Sequence, residues 1–208
     1  MAMIDDIYHL IRVDMRYSAQ HKQETRERIV RAASQHFRRR GWDGVAIADL
    51  MSKLDLTHGG FYRHFDSKEQ LFAEAVTKGF EEVRAKLKHV ADEQPGAELK
   101  AMIEGYLSLE HCANPAEGCP VAALAPEIAR QPHAVRVKID RAVRDYFERV
   151  AKFLPGTTEN ERYKNALVLF SGMAGALSLA RTVADKEMRQ SILLAAREFY
   201  IKTFCPQQ

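Results

Sequence analysis

Three cysteines in 208 residues, with no CxxC pair among them, leave this chain without a disulfide framework. No apolar run approaches the ~20 residues that a bilayer-spanning helix needs. The longest stretch free of charge, Asn165 to Ala180, is sixteen residues and is interrupted by Asn, Ser and Gly. The amino terminus shows no apolar segment ahead of a small-residue cleavage site. These absences point to a reducing, cytoplasmic setting and to a core held by packing alone, for which the length suffices. Long internal repeats and low-complexity tracts are also missing, which excludes solenoids and extended linkers. Enzyme signatures are lacking in the same way: there is no GxSxG, P-loop, dinucleotide fingerprint or HExxH. Metal donors are poorly spaced, since Cys112 and Cys119, with His111 beside the first, have only His133 near them in sequence. No metal or cofactor is expected.

What the sequence does contain is helix. Apolar residues recur at three and four rather than at two, in segments near 21–40, 46–53, 58–64, 68–92, 98–112, 118–130, 133–153, 159–183 and 186–204. Breakers fall between them: Gly41, Gly44, Pro95 with Gly96, Asn114 with Pro115, Pro132, and Pro155 with Gly156. The fold class expected is all-α, with about nine helices. Residues 1–14 fit either a short extra helix through Ile4, Ile7, Leu10 and Ile11 or loose order, and carry no assigned function.

Charge is distributed unevenly. Residues 12–68 hold twelve Lys and Arg against seven Asp and Glu, whereas residues 69–208 hold nineteen of each sign. A basic amino-terminal module on a balanced remainder suits a polyanion partner for the first part only. A solvated set of helix faces with chance asymmetry gives the same numbers.

Within this basic stretch, Ile29, Ala33 and Phe37, then Ile47, Leu50 and Leu54, then Phe61 and Phe65 make a three-helix core, with Trp42 and Leu56 at its corners. Two short helices separated by Leu54, Asp55 and Leu56 meet the demands of a helix-turn-helix, with Asp55 at the left-handed position. The segment LTHGGFYRHFDSKEQLF, residues 56–72, places paired glycines directly before aromatic and basic side chains. Glycines are poor helix formers, and their lack of bulk suits a helix that approaches another surface closely.

These residues are familiar as a set. The run from Thr25 to Val76, with its basic first helix, Trp42, the helix-turn-helix, G-x-x-Y-x-H-F at 59–65 and S-K-E at 67–69, resembles the DNA-binding domain of tetracycline-repressor-like (TetR/AcrR) transcriptional regulators. Val45 and Ala46 depart from the Thr or Ser common at the start of the second helix, so no phosphate contact is carried over there. The resemblance implies a DNA-binding domain over residues 1–66 and a helical effector-binding and dimerisation domain over 67–208. It implies that Thr57 caps the recognition helix and meets phosphate, that Gly59 and Gly60 permit close approach, and that Tyr62 and His64 touch the backbone. Lys68, in a turn capped by Ser67 and Gln70, joins them at phosphate, and Arg63 is assigned a base edge or flanking phosphate. Arg38, Arg39 and Arg40 fit phosphate contacts and, equally, a solvated basic helix end.

The implied partners are operator DNA, a second copy of the chain and a small hydrophobic effector. The LVLFSGMAGALSLA stretch offers Gly172, Gly175, Ala176 and Leu177, and the last segment offers Met188, Ile192 and Phe199, for a four-helix interface between two copies. Intramolecular packing is the plainer reading of the same stripes. Pocket walls would come from Met102, Tyr106, Leu109, Val121, Leu124, Ile128, Val143, Tyr146, Phe147, Phe170 and Met173, residues that ordinary core packing also explains. Cys119, after Gly118 at a possible helix start, opens an alternative: a thiol activated by the helix dipole that senses oxidants or electrophiles. A helical adaptor without DNA affinity would account for the helices but not for the localised charge.

Overall fold

The computed structural model describes residues 2–205, with side chains from residue 20 onward, so the reading of Ile4, Ile7, Leu10 and Ile11 falls outside the described side chains. The order is α1 (Ala2–Arg40), α2 (Ile47–Ser52), α3 (His58–Phe61), α4 (Lys68–Glu93), α5 (Glu98–Tyr106), α6 (Leu109–Ala113), α7 (Pro120–Ala129), α8 (His133–Val150), α9 (Glu159–Thr182) and α10 (Lys186–Phe204). Single 3-10 turns at Pro115–Glu117 and Ala151–Phe153 complete it, and no strand occurs among the described residues. None of the described helices is long and apolar enough to cross a membrane.

Among the described residues ten helices replace the nine expected, because the segment at 98–112 divides in two. Ser108 takes extended backbone and its Oγ accepts from the His111 amide at 3.0 Å, which starts α6 afresh. Side-chain caps begin other helices in the same way: Thr57 for α3, Ser67 for α4, Thr158 for α9 and Asp185 for α10. At α4 the Gln70 carboxamide reaches back to the Asp66 amide at 2.8 Å, one residue further out than in the usual reciprocal cap.

Helices α1–α3 enclose Ile29, Ala33, Phe37, Leu50, Met51, Phe61 and Phe65, with Trp42, Ile47, Leu54 and Leu56 packed around them. Met51 is the one fully buried member that the spacing did not single out. Helix α4 then runs from this core into the rest of the molecule, packing against α1, α5 and α8. Two ion pairs tie it to α1: Arg26 meets Glu74 at 2.6 Å, and Arg38 meets Glu82. Between them, at Gly79, α4 passes so close to α7 that an added Cβ would stand 2.6 Å from Pro120 Cγ.

Arg38 is only 4 % exposed, which excludes both roles expected of it as a surface cation. Its guanidinium donates to the Gly118 carbonyl at 2.7 Å and to the Ser34 carbonyl at 3.1 Å as well as to Glu82. A buried charge persists only when its hydrogen-bonding capacity is met, and here three oxygens meet it. Beyond α4, Phe170 on α9 stands at the centre of an aromatic cluster, 4.7 Å from Tyr146, 5.2 Å from Phe147 and 6.1 Å from Tyr106 between ring centroids.

Candidate nucleic-acid interface

The helix-turn-helix is built by local bonds. The Leu54 and Leu56 amides both donate to the Met51 carbonyl at 3.0 Å, and Asp55 between them takes the left-handed conformation at φ 59°. Asp tolerates that conformation better than most residues because its short side chain bonds locally. Thr57 Oγ1 accepts from the Gly60 amide at 3.2 Å, fixing the start of α3. Helix α2 starts at Ala46 without a side-chain cap, in keeping with Val45 and Ala46 replacing the usual hydroxyl residue.

The two glycines face different surroundings. A side chain at Gly60 would press on Thr57 Oγ1 at 3.3 Å and Met51 Cε at 3.8 Å, whereas one at Gly59 would meet nothing within 4 Å. Nothing among the described residues therefore requires glycine at 59, while Gly60 is explained by the cap it lies over. Tyr62 is 63 % exposed, its ring set edge-on to His58 and Phe61, and Arg63 is exposed beside it. His64 is half-buried, and its Nδ1 is enclosed without a partner. Burial, and then the charges of Lys22, Arg26 and Arg63, push its pKa down, so it is a neutral imidazole near pH 7. The Lys68 ammonium donates to the Trp42 carbonyl at 2.8 Å and stands 4.4 Å over the Trp42 ring, which leaves it further donors for an outside acceptor. Burial lowers its pKa against the raising effect of Asp43 and Glu69.

The expected effector residues do not form one pocket. Met102 and Tyr106 line a cleft of about 480 Å³ between α4, α5 and α6, together with Val83, Leu87, Val90 and Gly105. Val121, Val143, Phe147 and Phe170 line a separate open groove between α7, α8 and α9. Leu124 and Met173 are buried in the core, Tyr146 belongs to the aromatic cluster, and Ile128 is half-buried against the core. Leu109 is 50 % exposed and lines neither space, because the break at Ser108 turns it away from the face that Met102 and Tyr106 share.

Below the cleft lies a polar knot that the sequence did not reveal. His111 Nδ1 donates to the Tyr106 carbonyl at 2.8 Å and its Nε2 accepts from the Cys119 amide at 3.1 Å, which fixes one neutral tautomer. Burial pushes its pKa down to about 4, helped by the charges of Arg181, Lys86 and Arg38 against the raising effect of the Tyr106 carbonyl. Arg181 donates to the His111 and Cys112 carbonyls at 2.8 and 3.2 Å. Cys119 is 1 % exposed, and burial pushes its thiol up. The thiolate expected from the helix dipole is therefore replaced by an enclosed neutral thiol, because desolvation outweighs the favourable bonds at the start of α7.

The small-residue stripe also divides. Leu177 is fully buried, and a side chain at Gly172 would run into the Tyr200 hydroxyl of α10, so both serve packing within the chain. A side chain at Gly175 would meet nothing within 4 Å, and Ala176 and Ile192 are half-buried against the core. The exposed apolar side chains on these two helices are Val168 and Leu179 on α9 and Met188 and Phe199 on α10. Val168 and Leu179 share a stripe with Gly172 and Gly175, but apolar residues on the other sides of α9 mask that signal in the sequence.

Comparison with known proteins agrees with this arrangement. Residues 29–75 match the bacterial regulatory proteins of the tetR family. Over 176 residues the chain is 25 % identical to an HTH-type transcriptional regulator in the lacX 3' region of Lactococcus lactis, covering 80 % of this chain and 88 % of that one. It is also 25 % identical to the HTH-type transcriptional regulator LmrA of Bacillus subtilis, over 78 % of this chain and 89 % of the relative. The crystal structure of a TetR transcriptional regulator from Chloroflexus aurantiacus superposes with a TM-score of 0.68 at 26 % identity, covering 88 % of this chain and 96 % of that one. With the helix-turn-helix in place, residues 29–75 are a tetR-family DNA-binding domain, and the chain resembles HTH-type transcriptional regulators of that family along most of its length.

Proposed function

We propose that the protein is a cytoplasmic repressor that binds an inverted-repeat operator as a homodimer and is released by a small hydrophobic effector. Residues 1–66 are the DNA-binding part and 67–208 the effector-binding and dimerisation part. The observation that carries the reading is the surface around α3: Tyr62 and Arg63 stand out beside open space at Gly59, on a helix-turn-helix held by its own caps. Tyr62, His64, Lys68 and Thr57 contact phosphate and Arg63 reaches a base edge or neighbouring phosphate; Lys68, Arg63 and the basic excess of residues 12–68 make most of the affinity electrostatic, so that it falls with salt.

Dimerisation is supported by the exposed Val168, Leu179, Met188 and Phe199, a set of large apolar side chains on two neighbouring helices. Effector control is supported by Arg38, which joins α1 to Gly118, a residue that lines the cleft. An effector that favours one setting of this contact and an operator that favours another weaken each other's binding.

Fluorescence anisotropy with the promoter fragment of its own gene, paired with analytical ultracentrifugation, tests the whole reading. The expected result is a dimer that binds DNA with a steep salt dependence, and a Leu179→Asp/Phe199→Asp variant that is monomeric and binds at least about a hundredfold more weakly, since half the contacts are lost. Salt-insensitive or absent binding would favour the adaptor, and a monomer that binds as well as the dimer would remove the inverted repeat.

A further inference from the structure

The cleft between α4, α5 and α6 carries chemical information beyond its size. Its walls are apolar, from Val83, Leu87, Val90, Ala101 and Met102. At its rim Lys86 pairs with Glu117 at 3.8 Å, and Glu110 adds a carboxylate with no ion partner among the described residues. The floor is different. Tyr106 is 8 % exposed, lines the cleft, and its hydroxyl is enclosed with no hydrogen-bond partner. The adjacent Cys119 thiol interacts with it and shifts both ionisations, but sulfur is a weak acceptor and its placement does not satisfy the hydroxyl by donor–acceptor geometry. A buried polar group left unpaired costs free energy comparable to a lost hydrogen bond, and nearly all such groups in folded proteins find partners.

A second feature points the same way. Gly105, in the last turn of α5, lines the cleft, and a side chain there would meet nothing within 4 Å. The end of the helix tolerates glycine, and its bare backbone leaves room for an occupant lying along α5.

We infer that the cleft binds a compact, uncharged molecule with an apolar body and one carbonyl-type oxygen, which accepts a hydrogen bond from the Tyr106 hydroxyl while the body lies over Gly105. This rests on reading the cleft as the effector site. The oxygen is an acceptor because the buried Tyr106 hydroxyl has no acceptor for its proton, and the nearby Arg181 guanidinium, one of whose nitrogens is also buried without a partner, favours a partial negative charge. The molecule needs no negative charge because Arg181 does not itself line the cleft and already donates to two carbonyls, the Lys86 ammonium is engaged by Glu117, and Glu110 adds a carboxylate at the rim.

Three matched probes test this on the full-length protein: 2-acetylnaphthalene, 2-ethylnaphthalene and 2-naphthoate, with dissociation constants from ligand-observed NMR titration. The ketone should bind about five- to tenfold more tightly than the hydrocarbon, the value of one hydrogen bond. Tyr106→Phe should abolish that margin without weakening the hydrocarbon, and Gly105→Leu, which fills open space, should weaken both by more than tenfold. Equal binding of ketone and hydrocarbon, a margin that survives Tyr106→Phe, tightest binding by the naphthoate, indifference to Gly105→Leu, or no binding at about 1 mM would each overturn the inference. DNA affinity is read separately on the same proteins. Absence of DNA binding with the expected probe pattern would remove the repressor reading and leave the ligand chemistry standing.

Discussion

Around α3, Tyr62 and Arg63 stand exposed with no hydrogen-bond or ion partner among the described residues; in the α4–α9 region the corresponding polar groups point inward and, the Tyr106 hydroxyl apart, mostly bond within the chain. His111 uses both ring nitrogens, Arg181 bonds two carbonyls, and Arg38 bonds three oxygens from α1, α4 and the turn before α7. The contrast separates two uses of similar residues. Unspent groups on a rigid support are available to a partner, whereas spent ones hold distant segments in register. Substitutions in the first region should therefore change binding with little change in stability, and substitutions in the second should do the reverse.

The largest expected effect is at Arg38. Arg38→Met keeps much of the apolar stem but leaves the Gly118 carbonyl and Glu82 without their donor, so unfolding in urea should show a loss of about 3 kcal/mol, the scale of breaking a buried ion pair. Arg26→Met removes the same type of bond from the other ion pair, where the two side chains are 28 % and 29 % exposed, and should cost less than about 1 kcal/mol. Equal losses would erase the distinction between buried and half-exposed ties.

A smaller effect is carried by pH. His111 has its pKa depressed from the ordinary 6.5 to about 4, so the fold favours the neutral ring. That contribution is complete above pH 6.5 and is lost progressively as pH falls toward 4, where the folded protein also takes up the proton. By pH 5 the loss should reach about 2 kcal/mol by linkage, seen as a falling midpoint in urea that His111→Gln largely flattens. A midpoint that holds from pH 7 to 5 would place His111 among the unspent groups.

The smallest change in stability is expected at Tyr62. Being 63 % exposed, Tyr62→Ala should alter unfolding by less than about 0.5 kcal/mol while lowering operator affinity about tenfold or more, measured by anisotropy. Loss of fold without loss of binding would reverse the comparison.

The difference in legibility between the two regions has the same physical origin. In the helix-turn-helix each determinant acts over a few residues: Thr57 on Gly60, Asp55 in its own turn, Ser67 on Gln70. Local bonds leave local patterns, and the core positions Ile29, Phe37, Leu50, Phe61 and Phe65 followed from spacing alone. Arg38, by contrast, finds its partners 44 and 80 residues away, and nothing in RRR at 38–40 distinguishes the buried member from its exposed neighbours. In α9 apolar residues occur on all sides, so spacing did not separate Leu177 in the core from Leu179 on the surface. The break at Ser108 was hidden because Met102, Tyr106 and Leu109 keep helical spacing across it.

The near-contact of Gly79 with Pro120 divides α4 unequally, with eleven residues toward Lys68 and fourteen toward Glu93. At ~1.5 Å per residue the arms are about 16 and 21 Å. Because a side chain cannot be accommodated at that point, α4 has little freedom to slide past α7, but it can turn about the crossing. Any such rotation swings its two ends in opposite senses, with the helix-turn-helix end travelling about four-fifths as far as the end beside the cleft. The placement of one small residue thus sets both the direction and the gearing of motion between the two ends of the rod.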